Sequence, residues 1–507
     1  MEAPNRIGFD NEKYLQEQTA AILERVNRFN DKLYLEFGGK ILFDYHAARV
    51  LPGFDPNVKM RLLQLLKDKI DVILCIHAGA IERKKIRADF GISYDNDALK
   101  TIDDFREWGI NITAIVITRY ENQAAAKAFK SRLEQRGIKV YTHYPISGYP
   151  TDVETIVSDQ GYGVNEHIKT TKPIVVVTGP GPGSGKLATC LNNLYHEYKS
   201  GIKAGYAKFE TFPIWDLPVD HMVNIAYEAA TVDLKDKVMI DEHHLKYYHQ
   251  KVVNYNRDIE AFNLLKRVLE KITGGESMYH SPTDMGVNRI SAGIVNDAII
   301  SEASRQEIIR RYFRAAVDYA SGYVDKETLK RAARIMNKVG AKVEDRAVVL
   351  PARAAAKEAE ATGKGNAGVY CGASIQLHDG TLVVGKNSAL MHAASSMILN
   401  ATKYLAGLPD ALQLIPESII DSVTFLKKDI LNSKMVSLDL DETLIALSIS
   451  ALSNPAAKMA MEKLTLLRDC EVHLTHIPTP GDDAGLRKLD VNATSEPEFA
   501  GKNLFVS

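Results

Sequence analysis

The sequence predicts an α/β protein, and three observations carry that expectation. Short runs rich in valine and isoleucine alternate with helical patterns through the N-terminal part of the chain. These runs are apolar on both faces, as in a parallel sheet covered by helices on its two sides. One of them, PIVVV (173–177), ends in the glycine-rich turn GPGPGSGK and leads into a helical pattern. That is the order of elements in a phosphate-binding loop.

Taken in order, residues 11–31 place apolar side chains at helical spacing. LYLEF (33–37), DVILCIH (71–77), INITAIVIT (110–118) and IKVYTH (138–143) read as strands, with VKMRLLQLLKDK (58–69) and ENQAAAKAFKSRLEQRG (121–137) as helices between them. After PIVVV comes LATCLNNLYHEYKSG (187–201), a helix ending at glycine. GYAKFETFPIWDLPVD (205–220) is a strand followed by a proline-broken loop, and 258–273 and 296–340 are helical. The segment 352–368 begins as a helix and ends as a small-residue join. VYCGASIQLHDGTLVVGKNS (369–388) is a hairpin turning at Asp379-Gly380. A long helical stretch (389–407), further helices and the strand CEVHLTH (470–476) follow.

A chain of 507 residues is too long for one core. The expected division is an α/β phosphate-binding region at 1–290, with any internal split near 160–172, a helical region at 291–350, and a C-terminal α/β domain at 351–507.

Composition narrows the function classes. Hydrophobic residues make up 45% and charged residues 25% of the chain, as in ordinary globular proteins. Lysine plus arginine (63) nearly cancels aspartate plus glutamate (64), so no net field gathers nucleic acid or an anionic membrane. Cys75, Cys190, Cys371 and Cys470 lie far apart without a C-x-x-C pair, which argues against a disulfide scaffold and a cysteine zinc site. The N-terminus carries no signal-peptide or transit pattern, and no apolar run approaches the roughly 18 to 20 residues of a membrane helix. The expectation is a cytoplasmic protein with a small-molecule partner, without nucleic acid or membrane, and with homo-oligomer formation left open by the helical block 296–340.

A phosphate loop needs successive N–H groups aimed into one concavity, a helix behind them and a lysine for the outer phosphates. Gly181, Gly183, Ser184, Gly185 and Lys186 supply these in order, and PGSGK (182–186) resembles the loop of adenylate-kinase-like enzymes over just its own five residues. Two departures from G-x-x-x-x-G-K-[ST] stand out. The first glycine is one place early, at Gly179, and Leu187 replaces the hydroxyl that holds magnesium. Thr189 lies about 200° round the helix from that position and cannot simply substitute. The competing reading is a plain strand-to-helix turn with a solvated lysine.

Other candidates come from strand ends, where parallel sheets bind ligands: Gly38, Gly39 and Lys40, His77, and Arg119. Asp241, after VMI, is either a magnesium-holding aspartate and, with Lys186, a catalytic candidate, or the N-cap of the helix that follows. Lys208, Glu210 and Asp216 near Trp215 form either a substrate segment or a packed loop.

Two C-terminal patterns resemble known chemistry. VSLDLDETLIAL (436–447) matches the D-x-D-x-T-L signature of haloacid-dehalogenase-type phosphatases, with Asp439 and Asp441 in the aspartate positions, but only 66 residues follow Asp441. A capped helix is the favoured reading. The hairpin and its following helix resemble the start of a cytidine-deaminase fold, yet His392-Ala393-Ala394 stands where H-x-E belongs and no cysteine pair follows. No zinc is expected there. Cys371 is either a nucleophile or a small core residue.

The segments GGKILFDYHAARVLPGFDP (38–56), 175–218, SPTDMGVN (281–288) and EVHLTHIPTPGDDAGLRKL (471–489) together resemble a bacterial family catalogued as domain of unknown function 1846. The resemblance runs over essentially the full chain. It implies a cytoplasmic bacterial protein with an α/β N-terminal part, a helical middle and a separate α/β C-terminal part, and it implies no reaction. From the residues, the expected function is an enzyme acting on a phosphorylated small molecule, by ATP-dependent phosphoryl transfer or ligation. ATP or another phosphate-bearing ligand, with magnesium, would be its cofactor. The alternative is a non-catalytic sensor or assembly protein that binds a phosphate-bearing metabolite.

Overall fold

β-branched residues favour extended backbone because their side chains pack well on a pleated surface, and the apolar runs do form strands. A computed structural model describes residues 7–29, 32–87 and 91–501. Residues 30–31, the end of the expected first helix, and the extreme N-terminus lie outside the described residues. Contacts divide the chain into two compact units, 7–304 and 305–501, with the division inside the helix Asp297–Ala320.

The first unit is built on a six-stranded sheet. Its strands are β1 (Lys32–Phe37), β2 (Ile70–His77), β3 (Ala114–Thr118), β4 (Val140–His143), β5 (Ile174–Thr178) and β6 (Ala204–Phe209). The spatial order is β4-β3-β2-β5-β1-β6, with every neighbouring pair parallel. Helices α1 (Tyr94–Glu107) and α2 (Ala124–Glu134) cover one face, packing Ala98, Ile102, Phe129 and Leu133 on Leu74, Ile76, Ile115 and Ile117. Helices α3 (Lys186–Lys199) and α4 (Asn256–Thr273) cover the other, packing Cys190, Leu194, Phe262 and Leu269 on Val175, Val177, Cys75 and Tyr206. Both faces are therefore dry, which explains strands without polar alternation.

Chain direction matters for the site. From β2 the chain steps outward to β3 and β4, then returns to place β5 between β2 and β1. From β5 it leaves the other way, past β1 to β6. Connections from β2 and β5 thus run in opposite directions and open a crevice between their carboxyl ends.

A separate two-stranded ribbon pairs β7 (Val238–Ile240) with β8 (Val253–Tyr255), antiparallel. In the second unit, β9 (Gly372–Gln376), β10 (Leu382–Lys386), β11 (Glu471–Leu474) and β12 (Asn492–Ser495) form a sheet in the order β10-β9-β11-β12. The β9–β10 and β9–β11 pairs are antiparallel, and β11–β12 is parallel. The hairpin turns at Asp379-Gly380 as its sequence requires, with Gly380 at φ 87°. Helix α5 (Ala393–Leu405) lies on this sheet so closely that a Cβ on Gly385 would meet the Met397 backbone nitrogen at 2.2 Å. VSLDLDETLIAL forms the capped helix Leu440–Ser450, with Asp439 and Glu442 in a reciprocal capping box. Among the described residues, no helix is long and apolar enough to cross a membrane.

The loop after β1 is held by a buried ion pair. Lys59 donates to the Asp44 carboxylate at 2.7 Å and to the Lys40 carbonyl at 2.9 Å, and its side chain is fully buried. Burial alone would raise the Asp44 pKa, but Lys59 and then Lys40 outweigh it and hold the carboxyl below its ordinary value. Removing one member of such a pair leaves an uncompensated buried charge. Lys59→Met is expected to cost about 3–5 kcal/mol in urea unfolding near neutral pH. The depressed pKa stabilises the native state above the unfolded value and is lost on acidification, so the gap between wild type and variant should narrow as pH falls.

Candidate functional site

Strand β5 ends at Thr178, inside the crevice, and the chain turns through Gly179-Pro180-Gly181-Pro182-Gly183-Ser184-Gly185 into α3. Gly183 and Gly185 have φ of 75° and 92°, a left-handed path that favours glycine. Three glycines are also packed at contact distance. A Cβ on Gly179 would lie 2.5 Å from the Cys75 carbonyl oxygen, one on Gly181 2.7 Å from the Tyr94 hydroxyl, and one on Gly185 2.7 Å from Thr118 Oγ1. Nothing lies within 4 Å of the corresponding point on Gly183, at the open tip. Thr118 pins the turn by donating its hydroxyl to the Ser184 carbonyl at 2.8 Å, and Lys186 folds back to donate to the Gly181 carbonyl at 3.4 Å.

The loop leaves its own donors unused. Among the described residues, the N–H groups of Gly181, Gly183, Ser184, Gly185, Lys186, Leu187 and Ala188 find no acceptor in the chain. Four of these belong to the first turn of α3, where every helix leaves donors free. The other three come from the loop, at the positive end of a 14-residue helix. Ser184 is buried, and its hydroxyl has no partner either. A cleft opens on one flank of the turn, walled by Thr178, Gly179 and Pro180, by 39–43 after β1, and by Asp97 and Asp104 of α1.

The other strand-end candidates gather at the same edge. Gly39, at φ 68°, and Lys40 line the cleft. His77 caps a short turn by accepting the Gly79 N–H on Nδ1 at 2.8 Å. Arg119 is exposed at the end of β3, with φ 50°. Gly38 sits elsewhere on the edge, against the Glu210 side chain.

Asp241 does not join them. Its strand belongs to the β7–β8 ribbon, outside the six-stranded sheet. It is fully buried as the N-cap of Glu242–Tyr248, accepting from the His243 and His244 N–H groups and from Thr283. Thr189 is buried too, accepting from the Cys75 thiol at 3.3 Å, so it faces the core and not the loop. Cys371 is a core residue beside Ala373 and Ile375, and burial, helped by Asp482, pushes its thiol up to about 12.

A second constellation occupies the carboxyl end of β6. Lys208 pairs with Asp258 and with Glu210, the latter at 3.2 Å, and also donates to the Tyr255 hydroxyl. Tyr255 donates to Glu210 at 2.7 Å. Lys208, Glu210 and Asp258 open into a cleft with Trp215, Asn254 and Asn288. Glu210 was visible in the sequence, but Asp258 and Tyr255 were not, because they come from α4 and β8, some 45 residues away. Burial, with the Asp258 charge beside it, outweighs Lys208 and raises the Glu210 pKa to about 7.

A loop-to-helix turn in the reversal crevice of a parallel sheet defines the class: an α/β protein with a mainly parallel six-stranded sheet, whose carboxyl edge is the candidate site. The sequence model described as "Domain of unknown function DUF1846, N-terminal" matches residues 7–340, and its C-terminal counterpart matches 344–505. The chain belongs to this family. It is 56% identical over 501 residues to a UPF0371 protein of Clostridium botulinum (strain Kyoto / Type A2), covering 99% of both chains. It is 55% identical over 500 residues to a UPF0371 protein of Clostridium tetani (strain Massachusetts / E88), again covering 99% of each.

Glu210 makes a pH prediction with a definite sign. Its native pKa of about 7 lies above its ordinary 4.5, so between those values the native state binds more protons than the unfolded one. Its contribution to stability is therefore present at acid pH and is lost as pH rises through that window. The difference between wild type and Glu210→Gln in urea unfolding should slope between pH 4.5 and 7 and flatten above it.

Proposed function

We propose that this protein binds a phosphate-bearing small molecule or nucleotide on the backbone of 181–186 and Lys186, and acts on it as an enzyme. The observation that carries this reading is the set of loop and first-turn N–H groups without an acceptor, gathered at a helix N-terminus in the crevice. A phosphate group offers strong acceptor oxygens and negative charge, which match those donors and the helix dipole. Lys186, now resting on the Gly181 carbonyl, is within reach of the same concavity.

An enzyme is favoured by the Lys208–Glu210–Asp258–Tyr255 cluster at the same edge of the sheet. A carboxyl group with a pKa of about 7 can give or take a proton near neutrality. ATP-dependent transfer or ligation is the reaction class to test first. Leu187 offers no hydroxyl to magnesium, so a magnesium ion here would be held through the ligand's own phosphates. A cytoplasmic location belongs to this reading and is supported by four free, buried cysteines. The second unit is read as related to the cytidine-deaminase fold, supported by a hairpin followed by a helix on one mixed sheet. In it His392, paired with Asp482 at 2.7 Å, stands where the first ligand of H-x-E would lie, without the glutamate.

The test is thermal unfolding with a panel of nucleotides and sugar phosphates, with and without magnesium, on wild type and Lys186→Ala. A ligand at about 100 times its dissociation constant stabilises the native state by roughly 2.7 kcal/mol. The expected result is a rise in the wild-type midpoint that Lys186→Ala abolishes. Absence of any shift in a well-folded sample would make the loop a plain turn.

A further inference from the structure

The phosphate-loop reading uses Lys186 and leaves a group of cations beside it unexplained. Gly185 packs on Thr118, and the next residue is Arg119, exposed at the end of β3. At the end of β2, Arg83 Nη1 comes within 3.2 Å of the point where a Cβ on Gly79 would stand. Lys85 Nζ lies 5.0 Å from the ring centroid of Tyr94, the residue whose hydroxyl abuts Gly181. Burial first, then the charges of Arg119, Arg83 and Lys85, hold the His77 imidazole below its ordinary pKa.

Among the described residues, none of Arg83, Lys85, Arg119 and Lys186 forms an ion pair with a carboxylate. The acid nearest in sequence, Glu82, accepts the Ala125 N–H at 2.9 Å. Most cationic side chains on a surface need no partner. Four that share one strand edge with a helix N-terminus repel each other and the dipole. A phosphate monoester carries a charge of about −1.5 to −2 near neutral pH, which leaves much of this positive charge unmatched.

We propose that the ligand of the loop carries two phosphate groups, as a diphosphate or a bisphosphate. The first sits on the amides of 181–186 with Lys186, and the second is held at the ends of β2 and β3 by Arg83, Arg119 and Lys85. This rests on the phosphate-loop reading and narrows its ligand class. Arginine suits the second position because its planar fork donates two parallel hydrogen bonds to phosphate oxygens.

The experiment is isothermal titration of the full chain with inorganic orthophosphate and with pyrophosphate at matched ionic strength. Wild type, Lys186→Ala and the double variant Arg83→Gln/Arg119→Gln are compared, with circular dichroism to verify folding. Wild type should bind pyrophosphate at least tenfold tighter than orthophosphate. The double variant should lose that preference and keep its orthophosphate affinity within about twofold, whereas Lys186→Ala should weaken both anions. Equal wild-type affinities, or a preference that survives loss of both arginines, would overturn the two-phosphate assignment while leaving the loop in place. If neither anion binds wild type, the phosphate-loop reading falls and this assignment falls with it.

Discussion

Everything at the site depends on the confinement of β5. It is paired along one edge with β2 and along the other with β1, and all five of its residues are buried under helices on both faces. A strand enclosed on four sides can release the chain only at its end, against neighbouring strand ends that are already in place. The turn therefore runs within contact distance of the Cys75 carbonyl, Tyr94 and Thr118. Side chains at Gly179, Gly181 and Gly185 would collide there. The tight path follows from that crowding, and the unused amides follow from the path.

The polar groups along the edge divide into two kinds. On the β6 side, Lys208, Glu210, Asp258 and Tyr255 satisfy one another's hydrogen bonds, so the groups are held in place. On the β2 and β3 side, among the described residues, the loop amides find no acceptor, and Arg83, Lys85, Arg119 and Lys186 form no ion pair. Between the two lies the loop after β1, where Gly38 touches Glu210 and Gly39 and Lys40 wall the cleft beside the turn. Lys59, bonded to the Lys40 carbonyl, ties that loop to a buried ion pair. The glycine turn and the Lys208 cluster thus flank one loop.

Much of the fold could be read from local pattern. PIVVV, DVILCIH and LYLEF are strands because β-branched side chains suit a surface buried on both faces, and the Asp379-Gly380 turn demanded a hairpin. Asp241 and Asp439 lay at positions where a helix cap was the simpler account, and both are caps. INITAIVIT lost its first residues to coil, with β3 beginning at Ala114, since apolar content alone does not mark where sheet pairing starts.

The sequence by itself determined which segments extend, where the glycine turn falls, and that a lysine follows it, because these depend on neighbouring residues and on backbone freedom. Only the tertiary structure decided that β5 lies between β2 and β1, that Thr189 turns to Cys75 and away from the loop, and that Tyr94, under Lys85, and Thr118, before Arg119, pack on Gly181 and Gly185. It likewise brought Asp258 and Tyr255 to Glu210. The reason is physical: strand order and side-chain convergence come from long-range packing, in which residues far apart in the chain compete for the same buried space.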